Sequence, residues 1–132
     1  MKKLLLIALL LFVACSKGSA GGADAAVASA FANHKTNIQI QGGGQIIKVL
    51  SDDNDGSRHQ RFNIKLASGQ TLLIAHNIDL AKRVASIKTG DTIEFSGEYE
   101  WNPQGGVIHW THRDPQNQHA AGWIKHNRQM YQ

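Results

Sequence analysis

Residues 97–123 read GEYEWNPQGGVIHWTHRDPQNQHAAGW, and this stretch decides the fold. It holds all three tryptophans, both prolines and three of the seven histidines. Two apolar runs flank the turn sequence Asn102-Pro103-Gln104-Gly105. The first run belongs to a strand over Thr92–Trp101, with Ile93, Phe95, Tyr99 and Trp101 on one face; the second opens a strand over Val107–His112. Loop parity fixes how they pair. An odd loop would set His109 beside Tyr99 and Trp110 beside Glu98. A four-residue turn sets Ile108 beside Tyr99, His109 beside Glu98 and Trp110 over Gly97, which keeps the apolar residues together and covers a strand glycine with a ring. The even register is therefore expected, with His109 facing outward and His112 inward.

Upstream, Ile38 and Ile40 alternate with polar residues, Gly42-Gly43-Gly44 interrupts, and Gln45–Leu50 resumes. This predicts one long, bent first strand. The acidic segment Ser51–Gly56 is not an EF-hand loop, because Phe62 stands where the bidentate glutamate belongs. Arg58–Leu66 places Phe62, Ile64 and Leu66 on one face and His59, Arg61, Asn63 and Lys65 on the other. A two-residue Ser68-Gly69 turn returns the chain through Gln70–His76 and pairs Phe62 with Ala75 and Arg61 with His76. Asp79–Ser86 reads as a short helix capped by Asn77 or Asp79. A sixth short strand falls within Gly122–Tyr131. The expected fold over 37–132 is mainly β: a small OB-like barrel of five or six strands with a short helix between strands three and four.

The N-terminal residues MKKLLLIALLLFVAC read as an export signal, two lysines followed by an apolar run too short to span a bilayer comfortably. Phe12-Val13-Ala14-Cys15 resembles the lipobox of bacterial lipoproteins, with Phe12 where that motif prefers leucine. The resemblance makes Cys15 the lipidation site, and Ser16 after it matches the outer-membrane sorting pattern. The expected location is the periplasm, with a lipid anchor in the outer membrane. Cys15 is the one cysteine, so a disulfide framework is excluded. Residues 16–36 comprise a Gly/Ser-rich tether and a short alanine-rich helix over 24–34, with Asp24 as its cap and Val27 and Phe31 as a contact pair.

The formal charge is +4, but two of the fourteen basic residues, Lys2 and Lys3, lie in the export signal. The remaining 12 against 10 acidic residues is too mild to argue for nucleic acid or anionic lipid from charge alone.

The segments Gly56–Phe62, Ala75-His76-Asn77, Gly97–Asn102, His109–Pro115 and Gly122-Trp123-Ile124 together resemble a family of small exported bacterial proteins catalogued as domain of unknown function 3465. The resemblance covers about Gln45 to the C-terminus. It implies bacterial origin and export, and it hands over no catalytic residue.

Two polar groups are candidates for a site. His112 and Asp114, two apart, can face together and ligate a divalent metal, whereas His109 and His112, three apart on a strand, face opposite ways. Arg58, His59, Arg61, His76, Asn77, His109 and Arg113 form a candidate ligand-binding set: paired arginines clamp phosphate or carboxylate, and a histidine serves as general base. The same residues also suit a hydrogen-bonded network that fixes one end of a barrel. Convergence into a single site requires His59 or His76 near His112 or Asp114. The tryptophans suit either a stacking platform or the core, with Trp123 the exposed one and the other two inside. No nucleophile elbow or phosphate loop appears. The functional readings are a ligand-binding module for a small molecule, oligosaccharide or nucleic acid; a metal-dependent hydrolase acting on phosphodiesters, such as a nuclease; and a structural envelope protein. The membrane, through the lipid anchor, is the one partner the sequence points to, and no protein partner is inferable.

Overall fold

A computed structural model describes residues 20–132. The expected export signal and lipobox, with Cys15, lie outside the described residues. The elements are α1 (Ala20–Ala32), β1 (Ile38–Val49), β2 (His59–Lys65), β3 (Thr71–Asn77), β4 (Thr92–Glu100), β5 (Val107–His109), β6 (Trp123–His126) and β7 (Gln129–Tyr131). The sheet runs β1-β2-β3-β5-β4 and closes where β4 pairs back onto β1; β6 and β7 extend it from β4. The architecture is mainly β, a closed five-stranded barrel with two added strands and one short helix.

Closure rests on β1. Its first part pairs with β4, from Ile38 opposite Tyr99 to Gln45 opposite Thr92. Its second part pairs with β2, beginning with Gln45 opposite Lys65. The strand runs through the three glycines, as the alternation predicted, and the register irregularity falls just beyond them, between Ile46 and Lys48. Strand β4 is likewise shared. It holds β1 along one side, and on the other side β5 at Glu98–Glu100 and β6 at Ile93–Ser96.

Alternation places Phe62, Ile64, Leu72, Ile74, Ile93, Phe95, Tyr99, Ile108 and Ile124 inside, all nearly inaccessible to solvent. Helix α1 covers one side of the barrel with Ala23, Val27 and Ala30. It begins before the expected position 24, and Asp24 is not its cap. Asp24 instead accepts the Ser68 backbone N–H at 2.9 Å and ties the helix to the β2–β3 turn. Trp101 closes the other end of the helix: its indole N–H donates to the Phe31 carbonyl, and its ring stacks on His34 at 4.1 Å.

Three expectations are corrected. The β2–β3 turn has three residues, Ala67–Gly69, with Gly69 at positive φ, so Phe62 faces Ile74, Arg61 faces Ala75 and Gln60 faces His76. This register keeps apolar residues inside and carries His76 in with them. Residues 78–91 form turns, with no helix over 79–86. Backbone groups that a helix would use are claimed from elsewhere: Gln60 bonds both the N–H and the carbonyl of Val84, His76 binds the Lys82 carbonyl, and the Tyr131 hydroxyl accepts from the Ala85 N–H. Finally, none of the tryptophans is core. All three, including Trp123, are half-buried.

The even register of β5 holds: Ile108 faces Tyr99 and His109 faces Glu98. The strand ends at His109, however, and Trp110 does not cover Gly97. Trp110 turns away with φ 56°, a left-handed conformation costly for a bulky residue, and Ile108 and Thr111 pack over Gly97 instead. Gly122 makes this departure fit. A side chain there would collide with the Trp110 carbonyl and stand 2.5 Å from the Ser96 carbonyl, both backbone atoms that cannot yield. Gly122→Ala should therefore lower unfolding free energy in urea by about 3 kcal/mol. Gly56→Ala, whose positive φ lies in open space, should cost only about 1 kcal/mol; equal losses would contradict the packing described.

Candidate functional site

Among the residues the sequence singles out, most are held by local bonds. Arg58 pairs with Asp79 through Nε at 2.8 Å and also donates its backbone N–H to that carboxylate. Asn77 accepts the Asp79 N–H, His59 Nδ1 meets the Ser57 carbonyl, and Arg61 Nε donates to the Ser51 carbonyl. The bonds from Arg58 hold the Asp79 carboxyl below its ordinary range. Arg113 is exposed.

His76 is fully buried and uses both nitrogens: Nε2 donates to the Lys82 carbonyl at 2.9 Å, and Nδ1 accepts the Thr111 hydroxyl at 2.7 Å. Burial pushes its pKa down to about 4, with the charges of His112, His59 and Arg83 adding to the effect and the Lys82 bond opposing it. His112 is buried as well and binds the Arg113 carbonyl through Nδ1. Asp114 is held within its own loop. Its two oxygens accept the backbone N–H groups of Gln116, Gln118 and His119, which also hold its carboxyl below the usual range. Of the metal pair expected at His112 and Asp114, each member is engaged by backbone groups: His112 by the Arg113 carbonyl and Asp114 by three amides. Among the described residues no three His, Cys, Asp or Glu side chains stand as a metal-binding set.

What Asp114 does accomplish is to fold the 114–119 loop so that His119 lies over the sheet. The His119 ring stacks on Trp110 at 3.9 Å and 9°. Its Nδ1 donates to the Ala120 carbonyl, and its Nε2 lies 3.2 Å from Glu98 Oε2. His109, across from Glu98 on β5, presents a buried Nε2 that stands 3.3 Å from Glu100 and 3.7 Å from Glu98 without hydrogen-bond geometry to either. Two carboxylates and two imidazoles therefore share the outer face of β4 and β5.

That face continues as a groove. Asn63 pairs with Leu73, Leu73 with Val107 and Val107 with Glu100, a row crossing β2, β3, β5 and β4. Above its Asn63 and Leu73 lies a depression of about 390 Å³, walled by Ile47 and Leu50 on one side and by Asn102, Gln104 and Gly106 of the β4–β5 turn on the other. Thr71 and Asn63 complete its polar lining. Asn102 is fixed by accepting the Gln104 and Gly106 N–H groups through Oδ1, which leaves its amide N–H groups to the groove. A second, wider cleft of about 660 Å³ lies by Leu80 and Met130; of its three cations, Arg58 is paired with Asp79 and Arg83 with Asp52, and Lys82 is the third.

The sequence reading picked out His109 and its partner Glu98 but missed the groove. Asn63, Thr71 and Leu73 look like ordinary outward strand positions; the signal available was their shared outward parity beside the glycine-rich β4–β5 turn.

The domain is a closed small barrel with a side-chain-lined groove on its outer face. The chain itself matches the family described as Protein of unknown function (DUF3465) over residues 7–132 and belongs to that family. The match extends well upstream of Gln45. No curated protein matches the chain.

The buried His76 gives a pH test. Unfolded, the imidazole titrates near 6.5; folded, near 4. Between these values the unfolded chain binds more protons, so stability should fall as pH drops from 6.5 to 4, by about 3 kcal/mol in all, and change little from this source below 4. Urea unfolding at several pH values should show the slope, and His76→Gln should flatten it. An unchanged slope in the variant would assign the effect to other groups.

Proposed function

We propose that this protein is an exported, periplasmic lipoprotein whose OB-like domain binds a ligand without transforming it, in the groove over β2 and β3. The single observation that carries the reading is the position of the groove. It lies across the second and third strands, walled by the end of β1 and by the β4–β5 turn, and five-stranded Greek-key barrels use this face and these loops for binding. The strand order β1-β2-β3-β5-β4, closed on β1 with β3 and β5 parallel, supports the OB-like description. The lipid anchor at Cys15 rests on the N-terminal sequence, Phe12-Val13-Ala14-Cys15 after an apolar run.

The hydrolase alternative finds less support. It needs Asp114 as a ligand, and Asp114 is engaged by three backbone amides. It needs His59 or His76 as base, and His76 is buried with both nitrogens bonded.

Two experiments test the proposal. Cell fractionation should place the wild-type chain with the outer membrane and Cys15→Ala in the soluble periplasmic fraction; membrane retention of the variant would remove the anchor. Amide spectra of the labelled protein, recorded with a concentrated low-molecular-weight periplasmic extract, should move Asn63, Thr71, Leu73, Asn102 and Gln104 together. Shifts confined to Leu80 and Met130 would relocate the site to the wider cleft.

A further inference from the structure

We infer that the groove takes a neutral oligosaccharide, an inference that rests on the binding role proposed above and adds the chemical class of the ligand.

The lining is uncharged. Asn63, Thr71, Asn102 and Gln104 supply amide and hydroxyl groups over an aliphatic floor that includes Leu73. Side-chain amides offer a donor and an acceptor side by side, which suits adjacent hydroxyls, and the floor suits the apolar faces of sugar rings. At the far end of the Asn63–Leu73–Val107 row stands Glu100, more than half exposed, with Glu98 beside it on the same strand face. Carboxylates accept hydrogen bonds from hydroxyls and repel anions.

Competing ligand classes meet specific obstacles. A nucleic-acid strand needs cations along its backbone and aromatic rings under its bases. Here no cation lines the groove, and Trp110 has one ring face covered by His119. A peptide bound as an added strand needs a free sheet edge. Strands β2 and β3 have none, because β2 is paired to β1 and β3, and β3 to β2 and β5. The ligand must therefore be read by side chains, from above the sheet.

The test is a set of amide-shift titrations of the full chain with chitotetraose and maltotetraose, a heparin tetrasaccharide, the oligonucleotide dT8 and the peptide Ala-Ser-Ala-Ser. At least one neutral tetrasaccharide should shift Asn63, Leu73, Asn102 and Gln104, and Asn63→Ala should weaken it roughly tenfold. The heparin fragment should bind at least about tenfold more weakly, and Glu100→Gln should narrow that gap, since Glu100 is the exposed source of the repulsion. Groove shifts by dT8, heparin or the peptide at equal or greater affinity would overturn the carbohydrate assignment and leave the binding role standing. A groove that none of the five probes moves, while the periplasmic extract does, would do the same. A groove that neither probes nor extract move would remove both.

Discussion

The constraint on which the structure depends is that β1 serves two partners. Gln45 is the hinge of this arrangement, opposite Thr92 of β4 and Lys65 of β2 at once. A strand of ordinary length has one neighbour on each side over its whole extent; β1, with twelve residues, hands over from one to the other and so closes the sheet. Gly44 sits where this happens, and a side chain there would press within 2.7 Å of the Lys65 carbonyl. Closure removes the open edges that the unclosed sheet would present on β1 and β4. It also limits the chemistry open to the outer faces of β2 and β3, because their backbone groups are already spent on neighbouring strands and the side chains are what they offer.

Polar groups inside the barrel serve the same end. Gln60 and His76 occupy inward positions on β2 and β3 where apolar residues would ordinarily stand, and both reach the irregular segment between β3 and β4. A buried amide or imidazole is tolerated only with its bonds satisfied. These two are satisfied by Val84 and Lys82, so the segment is fastened without a helix. Thr111 completes the His76 bonding from the opposite side. The imidazole remains neutral because burial outweighs every bond it makes. This histidine, attractive as a catalytic base in the sequence, is a structural tie.

Local parity made much of the fold legible. The four-residue turn after Trp101 fixed Ile108 beside Tyr99 and His109 beside Glu98, because a strand's faces alternate strictly. The long first strand and the inward set Phe62, Ile64 and Leu66 followed from the same rule. What parity could not supply was the choice between turns of similar composition. Ala67-Ser68-Gly69 reads equally as a two-residue turn, and the one-residue difference moved His76 from the outer face to the core. The helix expected over 79–86 was lost to bonds from Gln60, His76 and Tyr131, each distant in sequence. His119 belongs to the outer polar cluster only because Asp114 gathers three backbone amides and folds the intervening loop. The groove draws its lining from β1, β2, β3 and the β4–β5 turn, and no single stretch announces it.

The central claim is that the groove over the outer face of β2 and β3 is the binding surface. Intermolecular nuclear Overhauser effects from a bound neutral tetrasaccharide to methyl-labelled protein test it most directly. The account requires contacts from ligand protons to the methyls of Leu73 and Ile47, both of which line the groove. Contacts instead to Leu80 and Met130, in the wider cleft on the far side of Arg58, would contradict it.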